Sequence, residues 1–185
     1  MNPRWQVAFL TGQSDPLRCA LSPLQQRFID ALAAPLAVPH NFPYDPATAA
    51  FRATPLWRAS IANARQYLGS RGLAFRRRHR PAVEALLARR ERSLLLAGSC
   101  GLELLVNLHL PRDLLDRVAV FAYGPVARRR PDCDCLLLQG HDDRLSRWYF
   151  PQVDVRVSAG HMDYLAQSSV LQHCRGYLAA RQTPA

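Results

Sequence analysis

The stretch Leu94-Leu95-Leu96-Ala97-Gly98-Ser99-Cys100-Gly101-Leu102-Glu103-Leu104-Leu105 constrains the fold more than any other part of the sequence. Its apolar start predicts a buried strand over 93–97, and the apolar spacing after the turn predicts a helix over 102–110. Between them, the small residues Ala97 and Gly101 allow the backbone to turn sharply. We interpret the stretch as a strand, a tight turn and a helix, with Ser99 exposed above the sheet edge at the helix N-terminus.

The rest of the chain repeats this alternation of short apolar runs and longer periodic segments. At 185 residues it predicts one domain, 1–185. The pattern is typical of an α/β fold in which helices flank a mostly parallel sheet of about six strands. Strands are predicted at 5–10, 36–39, 93–97, 117–121, 135–139 and 153–157, and helices at 22–34 (capped by Ser22 with Pro23 at its first position), 55–68, 81–92, 102–110, 144–149 and 162–180.

Basic charge is concentrated in one part of the chain. The sequence contains 24 arginines and no lysine, and its net charge is +10. Residues 51–92 alone carry eleven arginines, with Glu84 and Glu91 as their acidic residues. Over fifty residues separate the second and third predicted strands, more than one crossover helix needs. We therefore predict a basic helical insert at about 44–80.

Three interpretations of this basic segment remain open. It forms a solvated face in an arginine-biased protein, or it attracts an anionic partner. Attachment to anionic lipid is a further possibility. Nucleic acid is disfavoured, because Arg76-Arg77-Arg78-His79-Arg80 is accompanied by no recognition-helix, zinc-finger or aromatic-repeat motif.

The sequence pattern argues against a membrane-spanning, a secreted and a zinc-binding protein. The longest apolar runs are too short for a membrane-spanning helix, and the four apolar residues at 7–10 are too short for a signal peptide. Five cysteines without an export signal predict reduced thiols and a cytoplasmic protein. The single pair Cys133 and Cys135 does not supply the four ligands of a closed zinc site, so we expect no metal and no cofactor.

Three segments, each after a predicted strand, together resemble the α/β-hydrolase superfamily. The turn at Ser99 resembles the nucleophile elbow of that family. The segment Leu136-Leu137-Leu138-Gln139-Gly140-His141-Asp142-Asp143 is similar to its acid loop, and Ser158-Ala159-Gly160-His161 to its histidine loop. The resemblance extends over nearly the whole chain, from about residue 7 to 178. It implies a small esterase or thioesterase-like member of the family.

The resemblance also implies the roles of individual residues. Ser99 would be the nucleophile, His161 the base and Asp143 the acid of a catalytic triad. The backbone N–H groups of Gln13 and Cys100 would form the oxyanion hole. Gly12, His141 and Met162 would contact the substrate, an ester or thioester. For such a hydrolase, an acyl carrier protein or a coenzyme A thioester would suit the basic segment as its anionic partner.

The sequence departs from the family pattern at several points. Thr11 stands where the family's oxyanion loop usually has histidine, and the dozen residues between about 122 and 135 leave no room for the usual lid. The insert at 44–80 is then expected to cover the site. Cys100 remains an alternative nucleophile, and Asp142 an alternative acid. A non-catalytic module that uses its arginine face to bind an anionic partner remains the alternative function.

Overall fold

The computed structural model describes residues 4–33, 36–44 and 50–182. Ala34, at the end of a predicted helix, and residues 45–49 of the predicted insert therefore lie outside the described residues. Six strands are found: β1 Trp5–Thr11, β2 Ala37–Asn41, β3 Arg92–Gly98, β4 Val118–Tyr123, β5 Asp134–Gly140 and β6 Val155–Val157. They form one sheet in the order β2-β1-β3-β4-β5-β6, and every neighbouring pair is parallel. The predicted six-stranded α/β fold is therefore confirmed.

Seven α-helices connect and flank these strands in the described part of the chain. Their bounds are α1 Pro23–Leu32, α2 Leu56–Gly69, α3 Leu73–Ala88, α4 Gly101–Leu108, α5 Arg112–Leu115, α6 Arg144–Tyr149 and α7 Ser168–Gln182. A 3₁₀ turn at Tyr164–Ala166 precedes α7. Among the described residues, no helix is both long and apolar enough to cross a membrane.

Alternate residues of the central strands pack on opposite faces of the sheet. On one face Leu95 and Ala97 contact the core that α3 and α4 cover. On the other face Leu94 and Leu96 contact the core that α1 and α7 cover. Because successive strand side chains point to opposite faces, an unbroken apolar run such as 94–97 is what a strand buried on both sides requires.

The start of α1 agrees with the sequence prediction. The Ser22 hydroxyl accepts a hydrogen bond from the Gln25 backbone N–H at 3.2 Å, and the Gln25 side chain accepts one from the Ser22 N–H at 2.9 Å. This reciprocal capping box satisfies two N–H groups that have no partner within the helix.

Two helix predictions were wrong. The helix predicted to begin at Pro81 begins at Leu73 and continues through that proline. Pro81 cannot donate to the carbonyl of Arg77, but both residues are exposed, so that carbonyl can be hydrated and the helix survives. The helix predicted over 162–180 begins only at Ser168, because Asp163 accepts the Gly160 N–H and holds a turn there.

The strand order brings two strand ends together where the site forms. The connections leaving β1 and β3 run to opposite sides of the sheet, since β2 lies beyond β1 and β4 beyond β3. Thr11 at the end of β1 pairs with Gly98 at the end of β3. In open parallel sheets, such a switch point at the carboxyl ends of the strands leaves a crevice for a ligand.

Gly101 permits the close approach of α4 to β1, and its replacement is expected to be strongly destabilising. A Cβ at this position would lie 1.8 Å from the backbone oxygen of Leu10. We expect Gly101→Ala to lower the free energy of unfolding by about 3 kcal/mol or more, since backbone must move. The control is Gly176→Ala in α7, where nothing lies within 4 Å; there alanine should stabilise by up to about 1 kcal/mol. Urea denaturation of both variants measures this, and an equal response would contradict it.

Candidate active site

Ser99 occupies the strained turn between β3 and α4. Its φ of 51° is in the left-handed region that residues with side chains rarely adopt. The neighbouring Gly98 is also required, because a Cβ there would lie 2.5 Å from the Tyr123 ring. The turn presents Ser99, partly exposed, to the cavity described below.

The structure brings Ser99, His161 and Asp143 into one chain of hydrogen bonds. Ser99 Oγ lies 3.0 Å from His161 Nε2. His161 Nδ1 lies 2.9 Å from Asp143 Oδ2. With the proton on Nδ1, the ring donates to the carboxylate and its Nε2 is free to accept the hydroxyl proton, which is the arrangement that acyl transfer by a serine needs.

Asp143 is held as a buried carboxylate. Its Oδ1 accepts the Ser146 backbone N–H at 2.9 Å and so caps α6. Burial by itself raises the pKa of Asp143, but the hydrogen bonds from His161, Ser146 and Tyr164 outweigh burial and leave the pKa below its usual value. Asp142, the alternative acid, is exposed, and the contact with His161 is made by its neighbour.

Tyr164 is a site residue that the sequence analysis missed. Its hydroxyl donates to Asp143 Oδ2 at 2.7 Å and accepts the Gly140 backbone N–H at 2.7 Å. Burial and the adjacent carboxylate raise the pKa of this phenol, so it remains a donor at neutral pH. Tyr164 thereby fixes the carboxylate to the end of β5. A tyrosine three residues after His161 gives no signal of this contact in the sequence.

Cys100 lies beside Ser99 but is poorly suited to be the nucleophile. Its side chain is buried, and burial raises the pKa of the thiol to about 12. The thiolate is the reactive form of cysteine, so at neutral pH this side chain is an unreactive thiol. The hydrogen bond to His161 is made by Ser99.

The two predicted oxyanion donors differ in their surroundings. The Cys100 N–H follows Ser99 directly and stands at the start of α4, where the helix dipole favours negative charge. The Gln13 N–H instead donates to the side-chain oxygen of Gln66 at 2.8 Å. In this conformation the Gln13 N–H is therefore not available to a substrate oxygen. The Gln66 side chain must move away before the Gln13 N–H can serve as an oxyanion donor.

A cavity of about 430 Å³ opens beside Ser99 and His161. Helix α2 forms one wall, through Leu56, Ala59, Ser60, Asn63, Ala64 and Tyr67. Of the predicted substrate contacts, Gly12 and Met162 line this cavity. His141 does not: it is exposed, and its carbonyl accepts a hydrogen bond from Arg147. The expectation that His141 contacts substrate finds no support in this placement.

Asn63 places an amide close to the predicted oxyanion loop. Its Oδ1 is buried and has no hydrogen-bond partner within the described residues. A Cβ on Gly12 would lie 2.5 Å from this oxygen and 2.6 Å from the Cys100 sulfur. Gly12 therefore allows α2 to approach the loop, and the cavity wall offers a polar group to a bound molecule. No pattern in the sequence indicated Asn63, because the position of its amide depends on how α2 crosses the strand ends.

A buried ion cluster anchors α2 and α3 behind the elbow. Glu103 in α4 is fully buried and accepts the Arg128 Nε–H at 2.7 Å and the Arg128 backbone N–H at 2.9 Å. Arg71, in the connection between α2 and α3, lies 3.5 Å from the same carboxylate. Burial alone raises the pKa of Glu103, but Arg128 and Asn107 hold it below its usual value.

Neutralising Glu103 is expected to destabilise the protein. Glu103→Gln should lower the free energy of unfolding by about 2–4 kcal/mol, because it breaks a buried ion pair. Since the folded-state pKa is lowered, the carboxylate stabilises the fold above pH 4.5, its ordinary pKa, and this contribution is lost as the pH falls through the lowered value. The variant should therefore lose less stability than the wild type on acidification. Urea titrations at several pH values measure both effects.

The control for Glu103 is Glu84→Gln, which removes a half-exposed carboxylate paired with Arg80 at 2.6 Å. Such a pair contributes at most about 1 kcal/mol. Equal losses in the two variants would contradict the assigned importance of the buried cluster.

The cysteines are free thiols in this structure. Burial raises the pKa of Cys133 to about 12. In the described ranges, no group of three or more histidine, cysteine, aspartate or glutamate side chains is arranged to hold a metal ion.

Two solved structures are similar to this chain over nearly its whole length. Esterase PE8 is 18% identical, with 96% of this chain and 92% of that chain covered and a TM-score of 0.50. A protein from Xanthomonas campestris pv. campestris, assigned to the hydrolases of the alpha/beta superfamily, is 13% identical, with 98% of each chain covered and a TM-score of 0.51. No family model and no curated protein matches the sequence significantly.

Proposed function

The chain has the α/β-hydrolase fold, and from this premise we propose that it is a serine hydrolase that cleaves a carboxylic ester or an acyl thioester. The observation that carries the proposal is the continuous chain of hydrogen bonds from Ser99 through His161 to Asp143, with distances of 3.0 and 2.9 Å. Fold alone does not give function; this geometry supplies the chemical argument.

The proposed reaction has two steps. Ser99 Oγ attacks the acyl carbon while His161 Nε2 takes the hydroxyl proton, and Asp143 stabilises the resulting imidazolium. The Cys100 N–H stabilises the negative oxygen of the tetrahedral intermediate. The bond to the leaving oxygen or sulfur then breaks, and His161 gives that atom its proton. Water, deprotonated by His161, releases the acid and restores the Ser99 hydroxyl.

The apolar walls of the cavity support an acyl group as the part of the substrate that enters it. Leu56 and Ala59 of α2, Val126 and Leu165 all contribute to the lining. A cavity of about 430 Å³ is at the small end of ligand sites. We therefore propose a short or medium acyl chain.

A fluorophosphonate probe tests the proposal, because it traps only an activated serine. We expect mass spectrometry to find the adduct on Ser99 of the folded protein and to find none in Ser99→Ala. Ser158→Ala, which changes an exposed serine in the histidine loop, is the matched control and should label normally. No labelling of folded wild-type protein, or labelling that persists in Ser99→Ala, would contradict the serine mechanism and favour the non-catalytic binding module.

A further inference from the structure

A second, larger cavity of about 1080 Å³ lies next to the one that contains Ser99. We call it the arginine cleft. Its lining is strongly basic, with a single carboxylate, Asp15, among the described residues that form it. The cationic side chains are those of Arg18, Arg52, Arg58, Arg65 and Arg78. His79 also lines the cleft, but burial and the nearby Arg78 lower its pKa and favour the neutral ring.

Most of these arginines have no acidic partner among the described residues. Arg18 is paired with Asp15 at 3.2 Å. No described carboxylate lies within 4.0 Å of the guanidinium groups of the other four. Like charges gathered around a concave surface repel each other and concentrate a positive potential there. The cleft is therefore set to receive an anion.

Helix α2 separates the arginine cleft from the active-site cavity. The residues of α2 that line the active-site cavity recur at helical spacing and are mostly small or apolar. The opposite face of the same helix lines the cleft, through Trp57, Arg58, Ile61, Ala62, Arg65 and Gln66. One helix thus gives an apolar wall to one cavity and a basic wall to the other.

The two cavities meet at the loop after β1. Ser14 lines both of them. Gln13 and Gln66, whose hydrogen bond closes the same loop against α2, line the cleft side. Ser14 is therefore the point at which a molecule with its acyl end at Ser99 would cross from one cavity to the other and bring its other end to the arginines.

From this arrangement, and resting on the proposed function, we infer that the arginine cleft binds the phosphorylated leaving group of an acyl thioester of the coenzyme A type. Guanidinium groups match phosphate oxygens in charge and geometry. Trp57 is exposed in the cleft, with the Arg58 guanidinium over one face of its ring at 5.0 Å from the centre, so the opposite face adds a flat surface for a nucleotide base. The volume of the cleft suits one small molecule of this size. The substrate is then an acyl thioester, with its acyl chain and its phosphates on opposite faces of α2.

Binding of free coenzyme A tests the site without any turnover. Isothermal titration calorimetry on Ser99→Ala should detect binding that weakens as salt is added. The arginine-cleft variant combines Ser99→Ala with Arg58→Gln, Arg65→Gln and Arg78→Gln. It should bind coenzyme A about tenfold or more weakly, as expected for the loss of three exposed ion pairs.

The control variant combines Ser99→Ala with Arg77→Gln, Arg89→Gln and Arg90→Gln. These changes remove the same charge from exposed positions outside the cleft and should leave binding nearly unchanged.

Kinetics with matched substrates test the link to the proposed reaction. The wild type should have a lower KM for an acyl-coenzyme A than for the N-acetylcysteamine thioester of the same acid, which carries no phosphate. With Ser99 retained, the three cleft substitutions should reduce this preference by about tenfold or more. The three control substitutions, also with Ser99 retained, should leave the preference unchanged.

The outcomes distinguish the two proposals. Absence of coenzyme A binding, or equal losses in the cleft and control variants, would overturn the assignment of the cleft even if Ser99 is labelled by the phosphonate. Cleft-dependent binding in a protein that the phosphonate does not label would support the phosphate site while the hydrolase proposal fails. Binding to phosphatidylserine vesicles through the same arginines, without coenzyme A binding, would overturn the assignment in favour of a membrane surface.

Discussion

Replacing Ser99 by alanine is expected to lower kcat for a p-nitrophenyl ester by about four to six orders of magnitude. The loss follows because the nucleophile and the base of a triad act as a unit. Without the serine, water must attack the ester directly, which is far slower than hydrolysis through an acyl-enzyme. KM should change little, since the cavity walls that hold the acyl group remain. Steady-state kinetics on a series of p-nitrophenyl esters gives both constants, and the preferred chain length reports the depth of the cavity.

The fold of Ser99→Ala must be intact for this result to be interpreted. The side chain is partly exposed and, within the described residues, its hydroxyl hydrogen-bonds only to His161. We therefore expect the thermal midpoint to change by no more than a few degrees. Activity within tenfold of wild type in a variant with an unchanged midpoint would refute Ser99 as the nucleophile.

The second large effect is expected at the acid of the triad. Asp143→Asn should lower kcat by about 10⁴-fold, because an amide no longer holds the His161 proton on Nδ1 and the base is presented in the wrong tautomer. Asparagine is also a good helix N-cap, so α6 should retain the hydrogen bond to Ser146 and the protein should fold. Kinetics at neutral pH, with circular dichroism as a check on the fold, measures the effect.

Asp142→Asn is the matched control, because it makes the same chemical change one residue earlier on an exposed side chain. It should retain activity within a few-fold of the wild type. The opposite ranking, with Asp142→Asn inactive and Asp143→Asn active, would mean that the loop rearranges when substrate binds and that the assignment of the acid is wrong.

Much of the fold was predictable because its signals are local. Apolar runs such as 94–97 mark strands buried on both faces, and Ser22-Pro23 marks a helix start, so each element can be recognised from a few consecutive residues. The parallel pairing of the six strands follows from their alternation with helices, whereas their order in the sheet was not predicted. The helix through Pro81 was missed because its survival depends on the exposure of the broken hydrogen bond, which no local pattern reports.

The candidate site divides in the same way. Ser99, Asp143 and His161 each follow a strand, and parallel strands end at one edge of the sheet. That these three residues meet there was implied by the resemblance of their segments to the α/β-hydrolase pattern. The contacts of Tyr164, Asn63 and Gln66 could not, because they depend on side chains from separate elements that meet only when α2 and the turn before α7 are packed.

The sequence by itself therefore determined the class of fold, the turn at Ser99 and the three side chains at the strand ends, since those are properties of short segments and their order. Only the tertiary structure decided which neighbouring aspartate faces His161, how Gln66 engages the Gln13 N–H, and which face of α2 borders each cavity. Those features depend on the crossing of a helix over the sheet and on rotations of single side chains. Packing of distant segments sets both, and no spacing along the chain records them.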